Sequence, residues 1–146
     1  MDEEQADDPA ELGRRAALVV AAEATWSGHL GPLLEGKEVE RLLGVRTRQA
    51  VSDLRTRRRL LGLVRKDGRV VYPAFQFADR GRPFPEMKQI LEVFEEADVD
   101  EWTIASWFVT PKALLRGATP AAWLRDGGDS SIAVTAARRT VARLAH

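Results

Sequence analysis

The polar side chains that could do chemistry are concentrated on one face of a predicted helix between Thr47 and Arg59. If Ala50, Val51 and Leu54 point inward, helical spacing places a set of polar residues on the outward face. This set is Arg48, Gln49, Ser52, Arg55 and Arg59. Arginine can donate two hydrogen bonds to O6 and N7 of guanine, glutamine can read adenine, and serine can contact a base or a phosphate. The pattern therefore predicts a helix that enters the major groove of duplex DNA.

Further cations surround this helix in the sequence, although the whole chain has a formal net charge of zero. Residues 37–69 contain eleven Lys and Arg and four Asp and Glu, a net charge of +7. Such local charge attracts phosphates, which position a protein without reading sequence. The additional candidates are Arg46, Thr47, Arg57, Arg58, Lys66 and Arg69. The alternatives are that this Arg-rich helix is a solvated surface or binds an acidic partner.

The elements that must position these residues follow from local signals. Lys37 to Leu43 shows helical spacing of Val39, Leu42 and Leu43, and Gly44 is a typical C-terminal stop. Thr47 is the predicted N-cap of the second helix. Downstream, Leu61–Arg65 and Arg69–Tyr72 are typical of strands joined by the turn dipeptide Asp67-Gly68. Together these elements predict a helix-turn-helix unit with a β-hairpin wing.

The rest of the chain is predicted to be helical, which makes the fold class mainly α with a small helical bundle at the C-terminus. Residues 1–9 form an acidic leader expected to be disordered, and residues 10–26 a helix that opens a DNA-binding domain of residues 10–77. A Gly- and Pro-containing connector over 78–85 leads to a helical domain over 86–146. Within it, Thr119, Pro120 and Gly127 bracket a short helix, and Ser130 to Leu144 forms the last one.

Composition excludes much enzyme chemistry. The 146 residues include no cysteine and two histidines, so a Cys-ligated metal site and a thiol nucleophile are excluded. Asp126 and Asp129 fall short of a calcium loop, and Glu95 and Glu96 point in different directions on a helix. We therefore expect a protein that is not an enzyme and has no metal or cofactor. With no membrane-spanning stretch or signal peptide, a cytoplasmic location is expected.

The segment WF…P…LLRGATPAAWLRDGG resembles the C-terminal toxin-binding module of the Xre/MbcA/ParS family of bacterial antitoxins. The matching positions are Trp107, Leu115, Gly117, Thr119, Pro120, Trp123, Leu124 and Gly127. The resemblance covers about residues 37–146, but the hairpin is more similar to MerR-like winged units than to the family's usual all-helical DNA-binding part. It implies a type II antitoxin that binds operator DNA to repress its own operon and neutralises a cognate toxin, commonly a RES-domain enzyme that consumes NAD.

The resemblance places toxin contacts on the last helix and the loop before it. The candidates are Trp123, Arg138, Arg139 and Arg143. For the tryptophan the ordinary role is a core residue, and for the arginines a solvated helix end. The alternative function is a stand-alone helix-turn-helix transcription regulator whose helical domain dimerises or senses a ligand. A homodimer is expected in either case, because helix-turn-helix proteins commonly bind paired half-sites.

Overall fold

A computed structural model of the chain describes residues 26, 28–78 and 81–144. The described part is mainly helical with one small antiparallel sheet, as expected. The predicted leader lies outside it, as does the predicted helix over 10–26 except for Trp26, which is helical. The elements are β1 (Leu33–Glu35), α1 (Gly36–Leu43), α2 (Arg48–Thr56), β2 (Leu63–Val64), β3 (Val70–Pro73), α3 (Met87–Glu96), α4 (Glu101–Phe108), α5 (Pro120–Arg125) and α6 (Ser130–Leu144), with 3-10 turns at Ala74–Gln76 and Ala113–Leu115.

Helix α1 ends and helix α2 begins where the sequence signals indicate. The predicted end of α2 at Arg59 is wrong: the helix ends at Thr56, because Arg58 adopts a left-handed conformation with φ of 59° that breaks the helical path. Gly44 adopts the left-handed conformation with φ of 72° and ends α1, which confirms its predicted role. The hydroxyl of Thr47 accepts a hydrogen bond of 3.1 Å from the backbone N–H of Ala50 and caps α2. Residues 44–47 are therefore a tight connection that fixes the angle between the two helices.

The sheet differs from the predicted two-stranded hairpin, because it has three strands in the order β1-β3-β2. The Asp67-Gly68 turn is confirmed: Gly68 has φ of 87°, and the Asp67 carboxylate accepts from the N–H of Arg69. The predicted strands Leu61–Arg65 and Arg69–Tyr72 are too long or displaced by a residue. Strand β1 was missed, since three residues after a Gly-Pro pair are too few to show alternation on their own.

Apolar residues lie on both faces of this sheet. In β3, Val71 faces a larger cluster built mainly from α3, α4, α5 and α6, and Tyr72 faces a smaller cluster with Val39 of α1 and Val51 of α2. Successive strand residues point to opposite faces, so a single strand serves both clusters. The division into domains over 10–77 and 86–146 stays a prediction. Residues of β2 and β3, which precede the predicted boundary, pack in the same apolar cluster as the helices that follow it.

One buried polar side chain holds the approach to β2 in place. Gln76 is fully buried; its Oε1 accepts from the N–H of Leu61 at 2.8 Å, and its Nε2 donates to the carbonyl oxygens of Leu61 and Pro73 at 3.0 Å. The side-chain amide thus acts as a strand partner for Leu61 just before β2 begins. Buried backbone groups need such partners because leaving them unpaired costs free energy.

Gln76→Leu should therefore lower the free energy of unfolding by about 2–4 kcal/mol, since it leaves buried backbone groups of Leu61 and Pro73 unpaired. Urea denaturation of the full chain measures the change. Gln89→Leu, on the exposed surface of α3, is the matched control and should change stability by less than about 0.5 kcal/mol. Equal stability of the two variants would show that the amide bonds contribute little.

Candidate nucleic-acid interface

Helix α2 presents part of the predicted contact face to solvent. Val51 is 2% exposed and Leu54 half-buried, whereas Arg48, Gln49 and Ser52 are exposed. These three residues occupy the first turn and a half of the helix. The structure therefore brings together the N-terminal half of the predicted face, with donors on neighbouring turns.

An acidic residue, Asp53, which was not among the predicted contacts, lies on the same surface. The exposed carboxylate of Asp53 accepts a hydrogen bond of 2.8 Å from Nε2 of Gln49. The bond holds the glutamine amide in one orientation along the helix. A carboxylate at this place repels phosphates, so it restricts how closely a DNA backbone can approach the middle of α2.

Arg55 has a different environment from Arg48. It is half-buried, and its Nη2 donates to Oε1 of Glu101 in α4 at 3.4 Å. Its stem crosses Gly62, where an added Cβ would lie 2.7 Å from the arginine Nε. At 100° per residue, Arg55 is only about 40° around the helix from buried Val51, which explains why it lies at the edge of the inward face.

Arg58 also contacts the helical half of the chain. It follows α2 with φ of 59°, and its guanidinium forms an ion pair with the carboxylate of Glu95 in α3. The hydrogen bond to Glu95 raises the pKa of Arg58, and the same bond lowers the pKa of Glu95. Neither this pair nor the pair of Arg55 and Glu101 has a signal in the sequence, since the partners are 37 and 46 residues apart.

Other predicted contacts are exposed around α2 and at the tip of the hairpin. Arg69 is exposed but paired, since its Nη1 lies 3.8 Å from Oε1 of Glu35. Thr47 is both exposed and engaged as the N-cap. The remaining exposed cations of the predicted set are Arg46, Arg57, Arg59 and Lys66.

A groove of about 790 Å³ separates α2 from the hairpin. Arg48, Ser52 and Arg55 line one side, and Arg69 and Tyr72 line the other. Burial raises the pKa of the Tyr72 phenol, and the nearby charges of Arg55 and Arg48 act in the opposite direction. Tyr72 was predicted only as a strand residue, and its place in this groove was not predicted. The acidic residues that line the groove are Glu35, Glu40 and Asp67.

The C-terminal candidates lie on α5 and α6. Thr119 caps α5 and Gly127, with φ of 80°, follows its end, both as predicted. Trp123 is partly buried: its Nε1 donates to the carbonyl of Asp129, and a Cβ at Gly128 would lie 2.5 Å from its ring. Trp123 thus holds the loop that leads into α6, while Arg138, Arg139 and Arg143 are exposed on that helix.

The described residues contain no group of three His, Cys, Asp or Glu placed to hold a metal ion. Within the same ranges, every helix is too short or too polar to cross a membrane.

Comparison with known proteins identifies a similar fold. No protein-family model matches the chain, and no significant match was found among curated proteins. The NMR structure of a protein named Rv2175c is similar with a TM-score of 0.65, covering 75% of this chain and 81% of that one. The two sequences are 21% identical over the match, so the likeness concerns the fold alone.

Proposed function

We propose that the protein binds duplex DNA through α2 and the β2–β3 hairpin, as a winged helix-turn-helix. The observation that carries this proposal is the exposed N-terminal half of α2, where Arg48 and Ser52 line one groove together with the Asp67-Gly68 turn of the hairpin. Gln49 on α2 and Lys66, next to that turn, are also exposed. A recognition helix contacts base edges with its N-terminal residues, and a flanking hairpin reaches the sugar-phosphate backbone.

The packing of α1 supports the same use of α2. Val39 of α1 and Val51 of α2 are buried together in the smaller cluster, so α2 packs on α1 through its inward face. The first turn and a half of the opposite face stays exposed to solvent. The capped N-terminus of α2 adds the positive end of the helix dipole beside Arg48. In this proposal Arg48 and Gln49 read bases, and Arg46, Arg57, Arg59 and Lys66 contact phosphates.

Arg48→Ala should weaken binding to the operator more than to random duplex DNA, by about 1–3 kcal/mol, because a base contact is lost. Lys66→Ala should weaken binding to both DNAs and reduce the salt slope by about one unit, as a phosphate contact does. Fluorescence anisotropy of the full chain with both duplexes, across a salt series, measures each effect.

Lys88→Ala is the control, since it removes one exposed positive charge from α3, away from the basic segment. Its binding should equal that of the unsubstituted chain. If Arg48→Ala loses the same affinity for operator and random DNA, Arg48 does not read bases.

We further propose that the protein is an antitoxin that represses its own operon by this DNA binding. Its second partner is a cognate toxin, a RES-domain enzyme that consumes NAD. The support is the resemblance of residues 107–127 to the toxin-binding module, together with the exposed arginines of α6. The confirmed cap at Thr119 and stop at Gly127 give the glycines and proline of that motif ordinary structural roles. A homodimer on paired half-sites, about 34–36 Å apart, completes the proposal. The alternative is a stand-alone regulator with a dimerising or ligand-sensing helical half.

Replacing Arg138 and Arg139 together by Glu in the full chain should abolish neutralisation of the toxin while leaving DNA affinity intact, because a basic contact edge becomes acidic. Growth rescue on co-expression with the product of the adjacent reading frame measures neutralisation. Arg82→Glu, exposed in the connector, controls for reversal of a surface charge elsewhere and should rescue growth fully. Full rescue by the Arg138 and Arg139 variant would exclude this surface, and the absence of any toxin-encoding neighbour would favour the stand-alone regulator.

A further inference from the structure

Two ion pairs connect the basic segment, residues 37–69, to the stretch between Glu95 and Glu101 where α3 ends and α4 begins. Arg55 of α2 pairs with Glu101 at the start of α4, and Arg58 pairs with Glu95 near the end of α3. The pairs lie across a cleft of about 600 Å³ whose walls are these two halves of the chain. Two of the cations predicted to contact DNA are therefore occupied by carboxylates in the structure.

Both pairs are accessible to solvent. The side chains of Arg58 and Glu95 are 41% and 54% exposed, and those of Arg55 and Glu101 are 31% and 46% exposed. Exposed ion pairs contribute little net free energy, since water competes for both partners and salt screens them. A guanidinium also binds phosphate through two parallel hydrogen bonds, as it does carboxylate. Exchange of a carboxylate for a phosphate is therefore energetically easy at these positions.

The positions of the two arginines allow this exchange. Arg55 lines both the cleft that holds Glu101 and the groove that holds Arg48 and Ser52. Gly62 lies under its stem without a side chain that would block its movement. Arg58 follows exposed Arg57 and precedes exposed Arg59, so its backbone already lies on the basic surface.

We propose that Arg55 and Arg58 are further phosphate contacts and that Glu101 and Glu95 hold their guanidinium groups away from DNA in the arrangement of this structure. The inference rests on the proposed DNA binding and adds a regulated edge to the same interface. The carboxylates weaken DNA binding in two ways: they occupy the arginines, and their charge repels the incoming phosphates. Any change that moves α3 or α4 away from α2 then strengthens DNA binding.

The test is the affinity of the full chain for a random-sequence 20-base-pair duplex over a salt series. Glu95→Gln should tighten binding about fivefold at low salt and make the salt slope steeper by about one unit, because one more arginine reaches a phosphate. Glu101→Gln should act in the same direction. Glu96→Gln removes the same charge from the next position of α3, which is exposed and has no ion pair among the described residues. It should leave the slope unchanged.

A double-substitution cycle separates exchange from a general effect of charge. The gain from Glu95→Gln should disappear in a chain that also carries Arg58→Ala, and thermal unfolding of each variant verifies that it is folded. If Glu95→Gln and Glu101→Gln leave affinity and slope unchanged or lower them, while the unsubstituted chain binds the duplex, the exchange is wrong and the proposed function stands. If none of the chains binds the duplex even at low salt, the proposed function and this inference both fail.

Discussion

The side-chain amide of Gln76 is the interaction on which the arrangement of this molecule depends. It bonds both backbone groups of Leu61 and so fixes the segment that leaves α2 and enters β2. Because the amide is fully buried, its bonds form in a low-dielectric environment where the alternative is an unpaired polar group. The end of α2 is thereby tied to the 3-10 turn after β3, and the sheet obtains a defined place between two apolar clusters.

The position of the sheet determines which cations are available to a partner. Since β3 packs on α1 and α2 with one face and on the helical half with the other, α3 and α4 come within ion-pair distance of the end of α2. The net positive charge of residues 37–69 is consequently divided. Arg48 and Lys66 are exposed to solvent, and Arg55 and Arg58 face carboxylates. Electrostatics here follows from packing, because the same arginines on an isolated helix pair would all be exposed.

Local chemistry was predictable from the sequence. Caps and turns depend on a few adjacent residues, so Gly44, Thr47, Asp67-Gly68 and Thr119 have the roles predicted for them. Helical spacing also predicted the burial of Val51 on the inward face of α2 and the range Ser130 to Leu144 of the last helix.

Long-range partners were not predictable, since nothing local marks them. Strand β1 is held in place because Leu33 and Leu34 each pack against a different cluster. The amide of Gln76 has a structural role because the backbone of Leu61, distant in sequence, lies beside it. The pairing of Arg55 with Glu101 requires α4 to lie against α2, which a single sequence does not reveal. The roles in DNA and toxin binding stay predictions, because the fold they require is compatible with other functions.

Salt dependence of DNA binding tests the central claim most directly. The full chain is titrated with a random-sequence duplex from about 50 to 200 mM monovalent salt, and the logarithm of the affinity is plotted against that of the salt concentration. If the four proposed phosphate contacts each neutralise one phosphate, a slope of about −3 to −4 per protomer is expected. These contacts are Arg46, Arg57, Arg59 and Lys66. Absence of binding at the lowest salt, or an affinity that does not change with salt, would contradict a DNA interface on this surface.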